Sequence, residues 1–450
     1  MEWYPVSPAY DSFLRDESGL RGTAAEIAFP QTEAEVCDAL RQGNVTLRGS
    51  GTGLRGGAVP RNSRILDLSR LSKLGPLQTL PDGTTRIRAQ AGVTLETLRR
   101  AAPQFLFPPD PTEETATLGG IFALGATGPG QIFYGNPSQY VESLRWATPG
   151  GDLWEIRRGQ YASAQGRLTL PNGVEIAAET DLVDLLCGSE GRLGAALDLE
   201  LRLLPKPADL WGILFFFRDP AKALEFGRDL GKTDCFPANL TAGEFFDRAT
   251  LDLLDSHRNH PLLARIPPFP RGAGAACYVE LRGDDPEANT GALMTLLDLF
   301  EAMGGEETDN WAENGESATR KFRDLRHAVP SILNEIPGIR GKNGARWELN
   351  FRVEPALLPA LLPELAQLCR TVPHALWGHL TAGSLSVSLL PETGEQRQIC
   401  PEVLDSLAKA VLRTGGDPAA EYGMGRLMAP SCSEKIAFLE EIRRKMEETP

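Results

Sequence analysis

Apolar and polar residues along the chain repeat with two periods. In the first 207 residues, short alternating stretches are interleaved with short amphipathic ones. LDLELRLL, within residues 195–204, alternates strictly, as a strand with one face in a core does. Strands are expected at 45–48, 64–68, 85–91, 141–148 and 152–157, the last two flanking the turn Pro149-Gly150-Gly151. Thr32 and Glu35 form a capping box for a helix over 33–42 that Gly43 ends. Short helices are expected at 95–101, behind Thr94, and at 181–186. PPDPTEETATLGGIFALGATGPG, rich in Gly, Pro and Thr, reads as ordered loop and turns. Past Pro205-Lys206-Pro207 the elements lengthen. A strand at 213–217, a helix at 220–230, a strand at 277–281 and a helix at 287–303 give a ferredoxin-like layer. A helix at 318–333, a strand at 347–353, a helix at 357–370, strands around 376–390 and a helix at 402–413 follow. An amphipathic helix at 433–447 comes last.

Composition narrows the function classes. The chain of 450 residues is 42% apolar and 24% charged, as soluble globular proteins are. A net charge of −14 argues against a nucleic-acid partner, which needs a basic footprint. The longest apolar run, Trp211 to Phe217, is far short of the roughly 20 residues of a membrane span. The N-terminal residues lack the basic start and apolar centre of a signal peptide. Cys37, Cys187, Cys235, Cys277, Cys369, Cys400 and Cys432 are scattered with no C-x-x-C, so no cysteine cluster or zinc site is read, and a reducing cytoplasm is expected.

The chemistry is concentrated in glycine loops. RGSGTGLRGGAVP places Gly49, Gly51, Gly53, Gly56 and Gly57 directly after a strand. Successive backbone N–H groups in such a loop can converge on an anion; the competing reading is a flexible turn. No Gly-Lys-Ser/Thr closes it and no long helix follows, so it is neither a P-loop nor a dinucleotide fingerprint of the Rossmann kind.

The order RGSGTGLRGG, PPDPTEETATLGG, CGSEGRLG, LRLLPKP resembles the vanillyl-alcohol-oxidase (PCMH-type) FAD-linked oxidoreductases, nearest the glycolate, D-lactate and D-2-hydroxyglutarate dehydrogenase branch. The likeness is close over 20–207 and looser over 208–430. It implies an α+β fold: an N-terminal segment (1–19), a PCMH-type FAD-binding domain of two α+β lobes (20–207), a ferredoxin-like α+β cap (208–430), and a C-terminal helix (431–450) packing back on the FAD domain. It also implies FAD, held through Arg48, Gly49, Ser50, Gly51, Thr52, Gly53, Pro109, Asp110, Thr117, Gly119, Gly120, Gly125, Ala126, Gly128, Glu190, Gly191 and Gly194. No histidine lies between Arg48 and Gly57, so the flavin is expected to be non-covalent.

The likeness is weaker at the catalytic end. The family's G-H-x-G-D-G-N-x-H is GHLTAGSLS here, keeping His379 but with Ala382, Ser384 and Ser386 at the Asp, Asn and second His positions. Its E-H-G-x-G is EYGMG, keeping Glu421 with Tyr422 in place of the histidine base. Two ligands do not make a metal site, so no bound metal is expected. Arg326 in KFRDLRHAVP, near Lys321 and Arg323, matches the arginine that grips a substrate carboxylate. Structural roles for His379 and for Arg326 are the competing readings. The implied activity is oxidation of a small 2-hydroxy acid such as glycolate or D-lactate, with hydride passing to flavin N5. Electrons then go to an external acceptor, such as an iron–sulfur or electron-transferring flavoprotein subunit, through which the chain could attach peripherally to a membrane. The alternative is a flavin-binding electron-relay or degenerate subunit of a larger oxidase complex.

Overall fold

The computed structural model describes residues 1–230, 239–336, 339, 341, 346–418, 423 and 433–448. Glu421 and Tyr422 lie outside the described residues.

The first half contains two main sheets. In one, β1 (Tyr4–Pro5), β2 (Glu26–Ala28), β3 (Val45–Arg48) and β4 (Arg64–Asp67) lie in the order β1-β2-β4-β3, with β2 and β3 parallel to β4. Helix α1 (Glu33–Gln42) starts at the Thr32–Glu35 capping box and buries Val36, Ala39 and Leu40 against Ala28 and Leu66. The second sheet is antiparallel. It uses β5 (Leu74–Thr79), β6 (Thr85–Gln90), β7 (Phe105–Leu106), β8 (Val141–Ala147) and β9 (Leu153–Arg157), with a separate hairpin β10 (Arg167–Thr169) and β11 (Glu175–Ala177). Its centre is β12 (Ala195–Pro205), in the order β5-β6-β12-β8-β9, and β12 buries alternate residues as its pattern requires. Helices α2 (Leu95–Ala101), α3 (Leu118–Leu124), α4 (Gln131–Tyr134) and α5 (Leu182–Leu186) connect these strands.

The Gly/Pro/Thr-rich stretch is not loop throughout, because it contains α3 and is followed by α4. Leu118, Ile121 and Phe122 bury one helical face, the Thr117 hydroxyl accepts the Gly120 N–H, and left-handed Gly125 stops the turn. Apolar spacing and caps outweigh the local glycine content.

The second half is one antiparallel sheet of seven strands: β13 (Asp209–Phe217), β14 (Leu240–Asp247), β15 (Ala275–Gly283), β16 (Asn310–Asn314), β17 (Glu348–Arg352), β18 (His374–His379) and β19 (Ser384–Leu389). Their order is β16-β13-β15-β14-β18-β19-β17. Helices α6 (Pro220–Leu230), α7 (Arg248–Ser256), α8 (Pro286–Ala302) and α9 (Glu316–Glu335) connect the earlier strands. Helix α10 (Leu358–Leu368) precedes β18, and α11 (Gly394–Arg413) follows β19. Taken as a unit, β13 to β16 have the 4-1-3-2 order of a ferredoxin-like layer. The order β18-β19-β17 repeats three strands of it, so the two units join second strand to second strand at β14–β18.

Alternation along these strands separates the two faces. Ile213, Phe215, Phe245, Cys277, Val279 and Val387 pack with residues of α6, α8, α10 and α11. Leu214, Phe216, Phe246, Tyr278 and Trp377 pack on the other side with residues of α7 and α9. Helix α12 (Ser433–Glu447) buries Leu439, Ile442 and Met446 among first-half residues, and Asn172 donates to the Lys445 carbonyl at 2.9 Å.

Candidate functional site

A cleft of about 580 Å³ lies between the two halves. This is within the usual range for small-molecule and cofactor sites. Of the expected cofactor residues, Arg48, Gly49, Ser50, Gly51, Thr52, Gly53, Thr117, Gly119, Gly120, Ala126, Gly128, Glu190, Gly191 and Gly194 line it, as do Arg326 and His379 from the second half.

The glycine loop presents its amides because its carbonyls are engaged behind it. Glu17 N–H donates to the Gly51 carbonyl (3.1 Å) and Ser18 N–H to that of Gly53 (3.0 Å). Among the described residues, no backbone carbonyl accepts from the amides of Ser50, Gly51, Thr52 or Gly53. Arg48 serves as an internal brace. Its buried guanidinium donates to the Arg15 carbonyl at 2.8 Å, lies 3.8 Å from Asp67 and sits over the Phe13 ring. Gly51 adopts a φ of +75°, which favours glycine, and a Cβ there would displace the end of the Arg48 side chain. At Gly194, with φ +117°, a Cβ would fall 2.0 Å from the Ala147 carbonyl oxygen.

Three expected cofactor residues, Pro109, Asp110 and Gly125, are not among those lining this cleft, and their positions have other causes. Gly125 ends α3. Asp110 is ion-paired to Arg99, which also holds Glu114 at 2.6 Å. Burial alone would raise the Asp110 carboxyl, but the Arg99 and Arg323 guanidiniums hold it down at about 2. Asp110 faces a cavity of about 20 Å³, the space of a single water, with Glu280, Arg282 and Arg323. There Glu280 accepts from Tyr278 (2.6 Å), Arg282 (2.7 Å) and Arg323 (2.6 Å). These guanidiniums keep Glu280 ionised against burial. Arg323 is therefore committed to Glu280 and Lys321 to Glu313, whereas Arg326 reaches the cleft.

A buried polar cluster stands where the two units of the second sheet join. Glu244 on β14 is paired in register with His379 on β18, and its carboxylate meets His379 Nδ1. A carboxylate only accepts, so Nδ1 carries the proton and Nε2 presents a lone pair. Arg326 Nη2 lies 3.3 Å from that Nε2, Arg326 Nε is 3.4 Å from the second Glu244 oxygen, and Nη1 donates to Thr112 at 3.2 Å. Glu244 is fully buried, and His379 and Arg326 nearly so. Next to His379, the polar row continues to Ser384, its partner on β19, and to Tyr278, the partner of Glu244 on β15. Ser386 does not reproduce an imidazole; its hydroxyl accepts from Asn350 at 3.2 Å. Among the described residues, no three His, Cys, Asp or Glu side chains are grouped to hold a metal ion.

Glu244, Thr112 and Asn350 were not anticipated from the sequence. The available signal was a carboxylate in the middle of the strand sequence LTAGEFFD, before the Asp247 that caps the next helix.

Comparison with known proteins matches residues 24–157 to the family "FAD binding domain" and 207–443 to "FAD linked oxidases, C-terminal domain". The chain is similar to D-2-hydroxyglutarate dehydrogenase of Xanthomonas citri pv. viticola, 27% identical over 94% of this chain and 86% of the relative. It is also similar to D-lactate dehydrogenase of Archaeoglobus fulgidus, 35% identical over 46% of this chain and 45% of that one. Glycolate oxidase subunit GlcD of Bacillus subtilis is 24% identical over 86% and 77%. Alkyldihydroxyacetonephosphate synthase shares the fold, with a TM-score of 0.64 at 15% identity over 95% of this chain and 76% of that one. The cleft fits FAD: the loop that lines it carries amides with no backbone carbonyl partner among the described residues, and at Gly57 the space beside the backbone holds no protein atom within 4 Å of a Cβ. No helix among the described residues is long and apolar enough to cross a membrane.

Proposed function

The chain belongs to the FAD-linked oxidases, oxidoreductases with FAD as cofactor, and within that family we propose that it oxidises a small 2-hydroxy acid. The observation that carries this reading is the Glu244–His379–Arg326 constellation at the cleft. Bound FAD supplies the acceptor for the hydride that leaves the substrate Cα. The chain's own residues hold the acid and take its proton.

Arg326 is the carboxylate anchor. Its planar fork binds two carboxylate oxygens at once, and Thr112 and Glu244 fix its orientation. Without substrate, Nη2 faces the His379 lone pair. A carboxylate on the fork draws Nη2 away, and Nε2 then accepts the substrate hydroxyl proton. Glu244 positions the ring, fixes the tautomer with Nε2 as base, and stabilises the imidazolium formed on proton transfer, so it is a positioning residue for His379. Glu421 and Tyr422 remain candidate contributors from sequence.

Names of the relatives support the substrate class: glycolate, D-lactate and D-2-hydroxyglutarate are all 2-hydroxy acids. Electrons pass to an external acceptor, a soluble or peripherally attached iron–sulfur or electron-transferring flavoprotein subunit. The name of the GlcD relative, a subunit, agrees with such an arrangement. Anaerobic mixing of the purified yellow protein with glycolate, lactate and 2-hydroxyglutarate tests the reading. Bleaching of the flavin band supports it. A flavin that stays oxidised with all three would favour an electron-relay subunit without its own turnover.

A further inference from the structure

The cleft extends past the reactive group into the second half, and that extension indicates which 2-hydroxy acid fits. On α9, Arg326, Pro330 and Asn334 recur every fourth residue, so they form one stripe of the helix, and all three line the cleft. On β18, Trp377 and His379 are two residues apart, so they share a face, and both line it as well. Leu262 borders the same lobe and packs on the apolar core beside α9. A slot therefore runs from the Arg326–His379 pair between Trp377 and Pro330 towards Leu262.

Two of the polar groups around it are engaged elsewhere. Trp377 Nε1 donates to the Ser388 hydroxyl at 3.3 Å, and the Ser331 hydroxyl meets His260 Nε2 at 3.2 Å. Among the described second-half residues that line the cleft, Arg326 is the only one with a permanent charge. A second carboxylate in the slot would find no permanent cation beyond Arg326 among the described second-half residues, and its desolvation is costly, whereas an apolar group gains by leaving water.

From this geometry we infer that the slot receives the side chain on the substrate's C2 and selects 2-hydroxy monocarboxylates with an apolar, branched or aromatic substituent over 2-hydroxy diacids. The inference rests on the proposed 2-hydroxy-acid oxidation. With the carboxylate on Arg326 and the hydroxyl at His379 Nε2, the C2 substituent is the group left to enter the slot.

The test is anaerobic stopped-flow flavin reduction of the FAD-loaded chain by both enantiomers of lactate, 2-hydroxy-4-methylpentanoate, mandelate and 2-hydroxyglutarate. Each buried methylene is worth about fourfold. The second-order rate constant for 2-hydroxy-4-methylpentanoate should therefore exceed that for lactate by about tenfold or more, with 2-hydroxyglutarate lowest. Leu262→Arg should shift the ratio towards 2-hydroxyglutarate. The inference is overturned if 2-hydroxyglutarate is the best substrate, or if a folded, FAD-loaded Leu262→Arg variant keeps the original ratio. Reduction by none of the acids would instead overturn the oxidation reading, and this inference with it.

Discussion

Glu244 and His379 lie opposite each other across the β14–β18 pair, carboxylate to Nδ1, although 135 residues separate them. This pairing decides which imidazole nitrogen is the base. Glu244→Gln can offer its amide N–H to Nδ1 and so turn the ring to the opposite tautomer. The rate of flavin reduction at saturating substrate should fall by about 10²–10⁴, with FAD content little changed and KM, which also depends on the Glu244–Arg326 contact, shifted far less than the rate. A variant that reduces its flavin at the wild-type rate would remove Glu244 from the mechanism.

Arg326→Lys keeps a positive charge beside Glu244 but loses the planar fork. Substrate affinity should weaken by roughly 10–100-fold, the worth of about 1.4–2.7 kcal/mol of lost bidentate recognition. Concentration dependence of flavin bleaching measures it. Equal affinity in both proteins would place the carboxylate elsewhere.

Gly194 and Gly57 both line the cleft but differ in what surrounds them. A Cβ at Gly194 meets the Ala147 carbonyl at 2.0 Å and requires a residue at φ +117°, whereas one at Gly57 meets no protein atom within 4 Å. Gly194→Ala should cost about 3 kcal/mol or more and lose FAD with the fold. Gly57→Ala should leave the melting temperature of the FAD-free protein unchanged. If the variant then binds less FAD, as read from absorbance per chain, the added methyl meets the cofactor itself.

The glycine loops around the cleft were legible because their constraint is local. Gly51, Gly125, Gly128, Gly191 and Gly194 adopt positive φ, and a backbone that needs such angles shows itself as glycine in the sequence. Arg326 and His379 could be named from short motifs. Glu244 could not, because its role depends on which two strands pair, and nothing within LTAGEFFD specifies β18 as its neighbour. The same limit applies to Asp110, whose motif pointed to the flavin while its charge is committed to Arg99, eleven residues earlier. Helix α3 is masked in the sequence by its glycine content, which points to loop, while the Leu118, Ile121, Phe122 spacing and the Thr117 cap specify the helix.

Acid stability separates two partly buried groups, His327 and Asp110. Burial, followed by the nearby Arg326 charge, pushes His327 down from 6.5 to about 4. Above pH 6.5 the residue is neutral whether folded or unfolded and contributes nothing to pH dependence. As pH falls from 6.5 to 4, the unfolded chain takes up a proton that the folded chain refuses, so stability declines with a slope of at most about 1.4 kcal/mol per pH unit. Partial solvent access at His327 makes the real slope smaller. Asp110 acts in the same sense but in a lower window, because its folded pKa is also depressed. Its folded carboxyl stays ionised to about 2 against 3.8 when free. The stability it contributes is therefore complete above pH 4 and is lost as pH falls towards 2. Urea unfolding of the holoprotein across pH 3–8 measures both. His327→Gln should flatten the curve between pH 4 and 6.5 and leave the lower limb, while Asp110→Asn should lower stability at neutral pH and flatten the curve below pH 4. A His327→Gln curve parallel to wild type through pH 4–6.5 would show that His327 titrates normally in the folded protein and that its place at the cleft is not desolvated.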